Sequence, residues 1–494
     1  MKRPLALAAA VLLALPAHAT TLKVGVGQGL VNPDPHTSSL YSDVRILEQI
    51  YQGLLKLDPS TLKPVGDLAD SWTISDDKLT WTFRLHPGVQ FHDGRKLTAA
   101  DVVYSYNHIR DPKTVATLLS DFEPIAAVTA PDPGTVVITL KRPYGVLPAV
   151  LATPVWSAIV PVNATDLAGH PIGTGPFAFV SQVAKTSVSL KKNPTFQTAG
   201  LPKVDAVEFV VVPDESARIA ALVSGQVQVI DTVAMAQARQ LASTGGVKLL
   251  RFDSAWVDEF GFNTTRKPFD DVRVRRALAL AINKDQVTKA ATFGLGKPAA
   301  TMVGLSAIPI DTKPIPFDPT EARRLLQEAG VTNLSFSFAP CGGTSFPQMT
   351  RAGEVISANL RAIGVDARVT SMDAGVWGDT VVNRRDYDAF ICGLVNGTDP
   401  DQRSFRYFSK GGVYNFSNFD PGAELDGLLH QAREEADPAV RGKLYTRIFD
   451  RLNQDVPWVP LYVVPGLVGV SDKVSGLVVT PDTDLVLAGA SLRE

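Results

Sequence analysis

Residues 68–106, LADSWTISDDKLTWTFRLHPGVQFHDGRKLTAADVVYSY, admit few local folds. Leu79, Trp81, Phe83 and Leu85 alternate with Thr80, Thr82 and Arg84. That period of two predicts a half-buried strand rich in β-formers. Trp72 and Ile74 begin the same alternation one strand earlier, and Asp76-Asp77-Lys78 supplies the hairpin loop between them. His86-Pro87-Gly88 ends the strand, and Asp93-Gly94 marks the next turn. Thr98 then reads as an N-cap with Asp101 three positions on, opening a helix through Val102, Val103 and Tyr106. The run predicts a hairpin backed by a helix. Its residues are scaffold, not catalytic chemistry.

A chain of 494 residues is too long for one ordinary core, so two or three domains are expected. Apolar residues at 45% and charged residues at 20% suit a soluble globular protein. A formal net charge of −2 gives no basis for a nucleic-acid or anionic-membrane partner. At the N-terminus, Lys2 and Arg3 precede an apolar run over 5–15, and Ala17-His18-Ala19 follows. That pattern predicts a secretory signal peptide over 1–19, too short to span a membrane comfortably. No Cys follows the cleavage point, so an exported protein without a lipid anchor, free in a periplasm, is expected. Cys341 and Cys392 both follow strand-like runs. An exported chain permits a disulfide between them, and two reduced small hydrophobes is the equal alternative.

Along the chain, 21–26 predicts a strand, and Val44, Ile46, Leu47, Ile50, Tyr51 and Leu54 predict an amphipathic helix. Gly25-Val26-Gly27-Gln28-Gly29 has the wrong spacing for a dinucleotide fingerprint, and the Gly/Pro-rich run 170–177 lacks the Lys-Ser/Thr of a phosphate loop. Further on, strand 334–338, helix 349–363 ending at Gly364, strand 365–372 and strand 387–394 follow βαβ order, which predicts a parallel sheet. Helices are expected over 423–435 and 439–453.

Catalytic motifs are missing. There is no G-x-S-x-G, H-E-x-x-H or C-x-x-C, and the seven His are scattered. His92-Asp93 lies inside a turn and reads as a loop-fixing hydrogen bond. No cofactor and no metal site is expected, and a secreted hydrolase is the remote alternative. Binding has a structural rationale. Ligands of open α/β sheets sit beyond the carboxyl ends of strands, and a ligand touching two lobes favours the closed state. The candidate loops are 28–41, which begins at Gln28 and ends at Tyr41, together with 341–348 and 393–401. Trp256 and Trp377 are candidate cleft walls, with ordinary core packing as the alternative for each.

The 68–106 run resembles the SWxxSDDxLTxTFxLxxGVxFHDGxxLTAxDVVxS stretch of the family 5 extracellular solute-binding proteins, the peptide- and nickel-type subunits of ABC importers. Ile172-Gly173-Thr174-Gly175-Pro176-Phe177, the PFDDVRVRRAL run at 268–278 and DVPWVPLY at 455–462 resemble further motifs of that family, in the same order. The resemblance covers nearly all of the chain beyond the signal segment. It implies an α/β fold of the type II periplasmic binding protein class, with two lobes joined by a hinge and an additional α+β subdomain. The implied parts are 20–52, 170–260 and 460–494 for the first lobe, 53–169 for an inserted domain, and 261–459 for the second lobe. It implies a monomeric, non-enzymatic periplasmic subunit that captures peptides or peptide-like solutes and delivers them to permease subunits. Opines, oligosaccharides, glutathione-like conjugates and chelated nickel are the alternative solutes. Peptide-binding members hold the peptide α-amine with an Asp in the loop matching 393–401. The aligned residue here is Asn396, which carries no counter-charge, so either Asp399 substitutes or the solute lacks a free α-amine. Arg351 lies near the place of a carboxylate-binding Arg in dipeptide-binding members, with a plain surface role as the alternative.

Overall fold

The computed structural model describes residues 19–493 except 154, 165, 343–345, 395–396 and 483. Residues 1–18 of the expected signal peptide, and Asn396, lie outside the described residues.

Two long antiparallel strands, Val247–Phe262 and Trp458–Ser471, form a spine shared by both lobes. On one side Trp458–Ser471 pairs with Val229–Ile230, and the sheet continues through Thr21–Val26, Ala206–Val211, Ser187–Lys192 and Phe177–Val183. On the other side the end of Val247–Phe262 pairs with Ala389–Leu394, which runs parallel to Ser335–Pro340 and through it to Asp366–Val369. With Lys297–Pro298 this makes one 11-stranded sheet. The spine changes register midway: Asp253 faces Pro465 and Val257 faces Val463, so Ser254, Ala255 and Trp256 stand opposite Val464 alone. Such a bulge bends the strand and increases its twist, and here it falls where the sheet passes from one lobe to the other. The buried Ser254 hydroxyl donates to the Val464 carbonyl and accepts from the Trp256 N–H at 3.1 Å, which fixes the bulge.

Each lobe has its own core. The second lobe packs Phe260, Phe262, Phe269, Phe338, Phe390 and Trp458 largely edge to face, a geometry that favours aromatic pairs. The first lobe buries Leu22, Val24, Ile46, Phe177, Phe209 and Val468. Inserted in sequence between the first-lobe residues Ile46 and Phe177, Ala69–Ile74, Thr80–Leu85, Thr135–Leu140 and Ile125–Asp132 form a separate four-stranded antiparallel sheet. Helix Ala99–Arg110 packs on it, and Trp81, Phe83, Val136, Ile138 and Val102 share that core. The capping box is present: Asp101 accepts from the Thr98 N–H at 2.8 Å and from its hydroxyl at 2.9 Å. No helix among the described residues is long and apolar enough to cross a membrane.

One expectation changes, and the open question of the cysteines is answered. The first helix covers only Tyr41–Leu47, because the carbonyls of Gln49 and Ile50 are diverted to the N–H groups of Phe177 and Gly175, at 2.9 and 2.8 Å. The spine strand Val247–Phe262 is long because it continues across the bulge from one lobe into the other. Cys341, just past Ser335–Pro340, and Cys392, within the neighbouring parallel strand Ala389–Leu394, are bonded, with Cα atoms 5.1 Å apart.

Candidate ligand cavity

A cavity of about 360 Å³ lies between the lobes. Its first-lobe wall comes from the helix Tyr41–Leu47 and the chain just after it, the inserted unit contributes Trp156, and the C-terminal segment brings Asp482 and Asp484. The second lobe closes it with Gly397, Thr398, Asp399 and Gln402.

Three carboxyl groups converge on the first-lobe wall. Glu48 and Asp484 hydrogen-bond to each other, and the Tyr41 hydroxyl donates to Asp484 Oδ1 at 3.3 Å. Burial, then the charge of Asp484, holds Glu48 well above the ordinary carboxylate range. Burial also raises Asp484, and burial followed by the charge of Asp484 pushes Asp482 up to about 7. The Arg45 guanidinium lies over the Tyr41 ring at 5.1 Å and is paired with buried Asp231, and its charge also acts on Glu48 and Asp484. The remaining acid of this wall, Asp67, meets Lys56 at 3.3 Å and Gln52 at 2.8 Å. The wall is therefore rich in carboxyl groups, which burial and mutual repulsion hold toward their neutral form.

Asp399 lines the cavity, but its carboxylate is engaged. It accepts from both terminal nitrogens of Arg441, at 2.8 and 2.7 Å, and caps helix Pro400–Phe408 by accepting from the Asp401 N–H at 2.9 Å. A buried guanidinium paired in this bidentate way leaves little of the carboxylate for a solute.

Of the other candidates, Trp256 and Arg351 sit by the hinge rather than on the cavity. Asp258, fully buried, accepts from Trp256 Nε1 at 2.8 Å and from the Tyr462 hydroxyl at 2.7 Å, and burial pushes it up to about 6. Phe346 stands edge-on to Trp256 at 5.2 Å. Arg351 donates to the Ala291 carbonyl at 3.1 Å and covers the Phe293 ring at 4.7 Å. Gln28 is exposed on the loop after the first strand. Trp377 does not reach the cavity: it is buried in the second-lobe core, donates to the Ala339 carbonyl at 3.2 Å and meets Phe390 edge-on. Asn396 belongs to the loop beside Gly397 but lies outside the described residues. The structure thus brings Tyr41 and Asp399 to one cavity. It adds Glu48, Asp482 and Asp484, which sequence reasoning missed. Glu48 reads locally as the polar side of an amphipathic helix, and more than 430 residues separate it from its partner Asp484, so no local pattern joins them.

The family model for bacterial extracellular solute-binding proteins, family 5 middle, matches residues 63–416. A glutathione-binding protein GsiB of Escherichia coli O1:K1 is 30% identical over 484 residues, covering 95% of this chain and 94% of the relative. Among solved structures, AgaA of A. tumefaciens R10 in complex with agropinic acid is 26% identical with a TM-score of 0.82, covering 96% of this chain and 99% of that one. The substrate-binding protein CtaP of Listeria monocytogenes superposes with a TM-score of 0.86 over 96% of this chain and all of its own, at 23% identity, and so is similar in fold. With its motifs, its two lobes and the cavity between them, the chain belongs to the bacterial extracellular solute-binding proteins of family 5.

Proposed function

We propose that the protein is the substrate-binding subunit of an ABC importer, and that its solute is a peptide or peptide-like molecule carrying a free amine. The observation that carries this reading is the cavity itself: both lobes wall it, and its first-lobe side presents Glu48, Asp482 and Asp484 together. An ammonium there replaces lost hydration with carboxylate partners, and each carboxylate gains a counter-charge that favours its ionised form. The amine site thereby lies on the first lobe, not on the 393–401 loop, where position 396 is Asn and Asp399 is held by Arg441. A solute touching both walls binds the closed arrangement better, and that difference drives closure about the bulge at 254–256. The cavity is within the range that encloses small molecules of about 300–1,000 Å³ sites. The GsiB relative is named for binding glutathione, which is a peptide with a free amine. In this reading the exported chain works in the periplasm as a monomer and passes its cargo to membrane permease subunits.

A second reading, a non-peptide solute such as an opine, has support from AgaA and from the engaged state of Asp399. Native mass spectrometry of the mature protein, purified without denaturation, separates the two. Added masses matching glutathione or short peptides are expected. A single retained mass of a non-peptide solute would replace the first reading with the second.

A further inference from the structure

The loop that closes the cavity continues directly into helix Pro400–Phe408, whose polar side chains are nearly all buried: Asp401 is 1% exposed, Arg403 2% and Arg406 7%. A nine-residue helix with this many buried charges holds them for contacts on several sides. Arg403 reaches back to Glu259 at 2.5 Å, tying the helix to the spine just past the hinge bulge. Arg406 reaches out of the second lobe to the inserted unit, where its Nε donates to Asp121 Oδ1 at 3.2 Å and a terminal nitrogen donates to Oδ2. Asp121 is 1% exposed and also faces Arg433 at 3.5 Å. Arg433 lies over the Phe405 ring at 4.0 Å and donates to the Tyr144 hydroxyl of the inserted unit at 3.0 Å. Beside it the Gly145 N–H donates to the Arg433 carbonyl at 3.0 Å, and a Cβ at Gly145 would strike the Glu435 carbonyl. At the rim, partly exposed Lys78 and Glu435 pair at 3.5 Å.

We infer that helix Pro400–Phe408 is a closure latch: it links the cavity loop to an ionic lock between the second lobe and the inserted unit, with Asp121 as the lock's carboxylate.

The charge pattern gives the latch its sense. With the lobes together, Arg406 and Arg433 share Asp121, and Asp401 stands 3.8 Å from Arg433. With the lobes apart, Asp121 leaves, and the two guanidiniums depend on water for that solvation. A buried pair between two surfaces comes close to break-even against the hydration it displaces. Such a lock holds only when its groups are correctly placed. The element that places Arg406 also walls the cavity, since Asp399 caps the same helix and Gln402 of that helix lines the cavity beside it. Solute contact and lobe contact then favour the same state, which is the requirement for coupling two sites. The latch rests on capture by lobe closure. Its test reads lobe separation itself, so a wrong solute class leaves it untouched.

The two native cysteines are bonded to each other, so spin labels can be placed selectively at V115C in the inserted unit and V440C in the second lobe, both on exposed positions. Pulsed electron resonance on the full mature protein as purified is expected to show a short-distance population. D121N keeps the side-chain shape and removes the charge, and should deplete that population several-fold. K78E opposes Glu435 at the rim without touching a buried group, and should lower it as well. The charge-reversed pair K78E/E435K should restore it. If D121N fails to fold by circular dichroism, the rim variants decide. A wild type without the short population, identical distributions in wild type and the single variants, or no recovery in K78E/E435K would each overturn the latch.

Discussion

At the scale of residues, Asp482 makes pH the sharpest probe of the cavity. Its folded value is pushed up to about 7, first by burial and then by Asp484, against roughly 3.9 in an unfolded chain. Between those values the folded state binds more protons than the unfolded one, so stability is highest below the unfolded value and falls as pH rises toward 7. The slope is at most about 1.4 kcal/mol per pH unit for this single proton. Affinity for an amine should move the other way and strengthen from pH 5.5 to 8, as Asp482 becomes ionised. Denaturant unfolding and calorimetry across this range should therefore give opposite trends, and Asp482→Asn should reduce the slope of both, leaving the part due to the other raised acids such as Glu48 and Asp258. Parallel trends would remove Asp482 from the amine site. None of this was legible locally: Asp482 and Asp484 sit in a loop near the C-terminus, and their partner lies beside the first helix. Tyr41 and Asp399 were accessible to sequence reasoning because strand-end loops are where such folds bind, but which of their polar atoms are already engaged is a tertiary fact.

At the scale of elements, Asp399 separates a structural carboxylate from a waiting one. Asp399→Ala leaves Arg441 buried without its partner and strips the cap of helix Pro400–Phe408. It should destabilise the ligand-free protein by roughly 3–5 kcal/mol, seen as a lower urea midpoint with an unchanged slope. A carboxylate reserved for solute would leave the ligand-free midpoint where it was. Thr98→Ala should cost about 1 kcal/mol through the lost capping box of helix Ala99–Arg110, while solute affinity stays level. That box and strand Thr80–Leu85 were legible because capping and period-two burial are local properties, with Trp81 and Phe83 buried on one face as the alternation predicts. The bulge at 254–256 was not, because three residues against one is a property of pairing between strands more than 200 residues apart. The first helix was overextended for a similar reason: Ile50, Tyr51 and Leu54 are buried in non-helical chain bonded to a distant loop.

At the scale of the whole molecule, two devices hold the lobes: the continuous sheet within the spine and the ionic contacts across the cleft. The Cys341–Cys392 bond acts inside one lobe only, closing a loop over a separation of 51 residues. Its reduction should lower stability by about 2–4 kcal/mol. The fall should appear in the second lobe, as earlier loss of hydrogen-exchange protection in Ser335–Pro340 and Ala389–Leu394 than in Thr21–Val26. The two-lobed architecture was legible from motifs spread along the chain. The way the lobes meet was not, since Arg406 and Asp121 pair across a separation of 285 residues that no local pattern spans. The central claim is that a solute amine sits against Glu48, Asp482 and Asp484. It is tested most directly by calorimetric titration of the ligand-free mature protein with reduced glutathione and with its N-acetylated form. Removing the ammonium should weaken binding by about 2 kcal/mol or more, roughly thirty-fold, and Asp482→Asn should narrow the gap between the two forms. Equal affinity for the two forms, or a gap that Asp482→Asn leaves unchanged, would contradict the account.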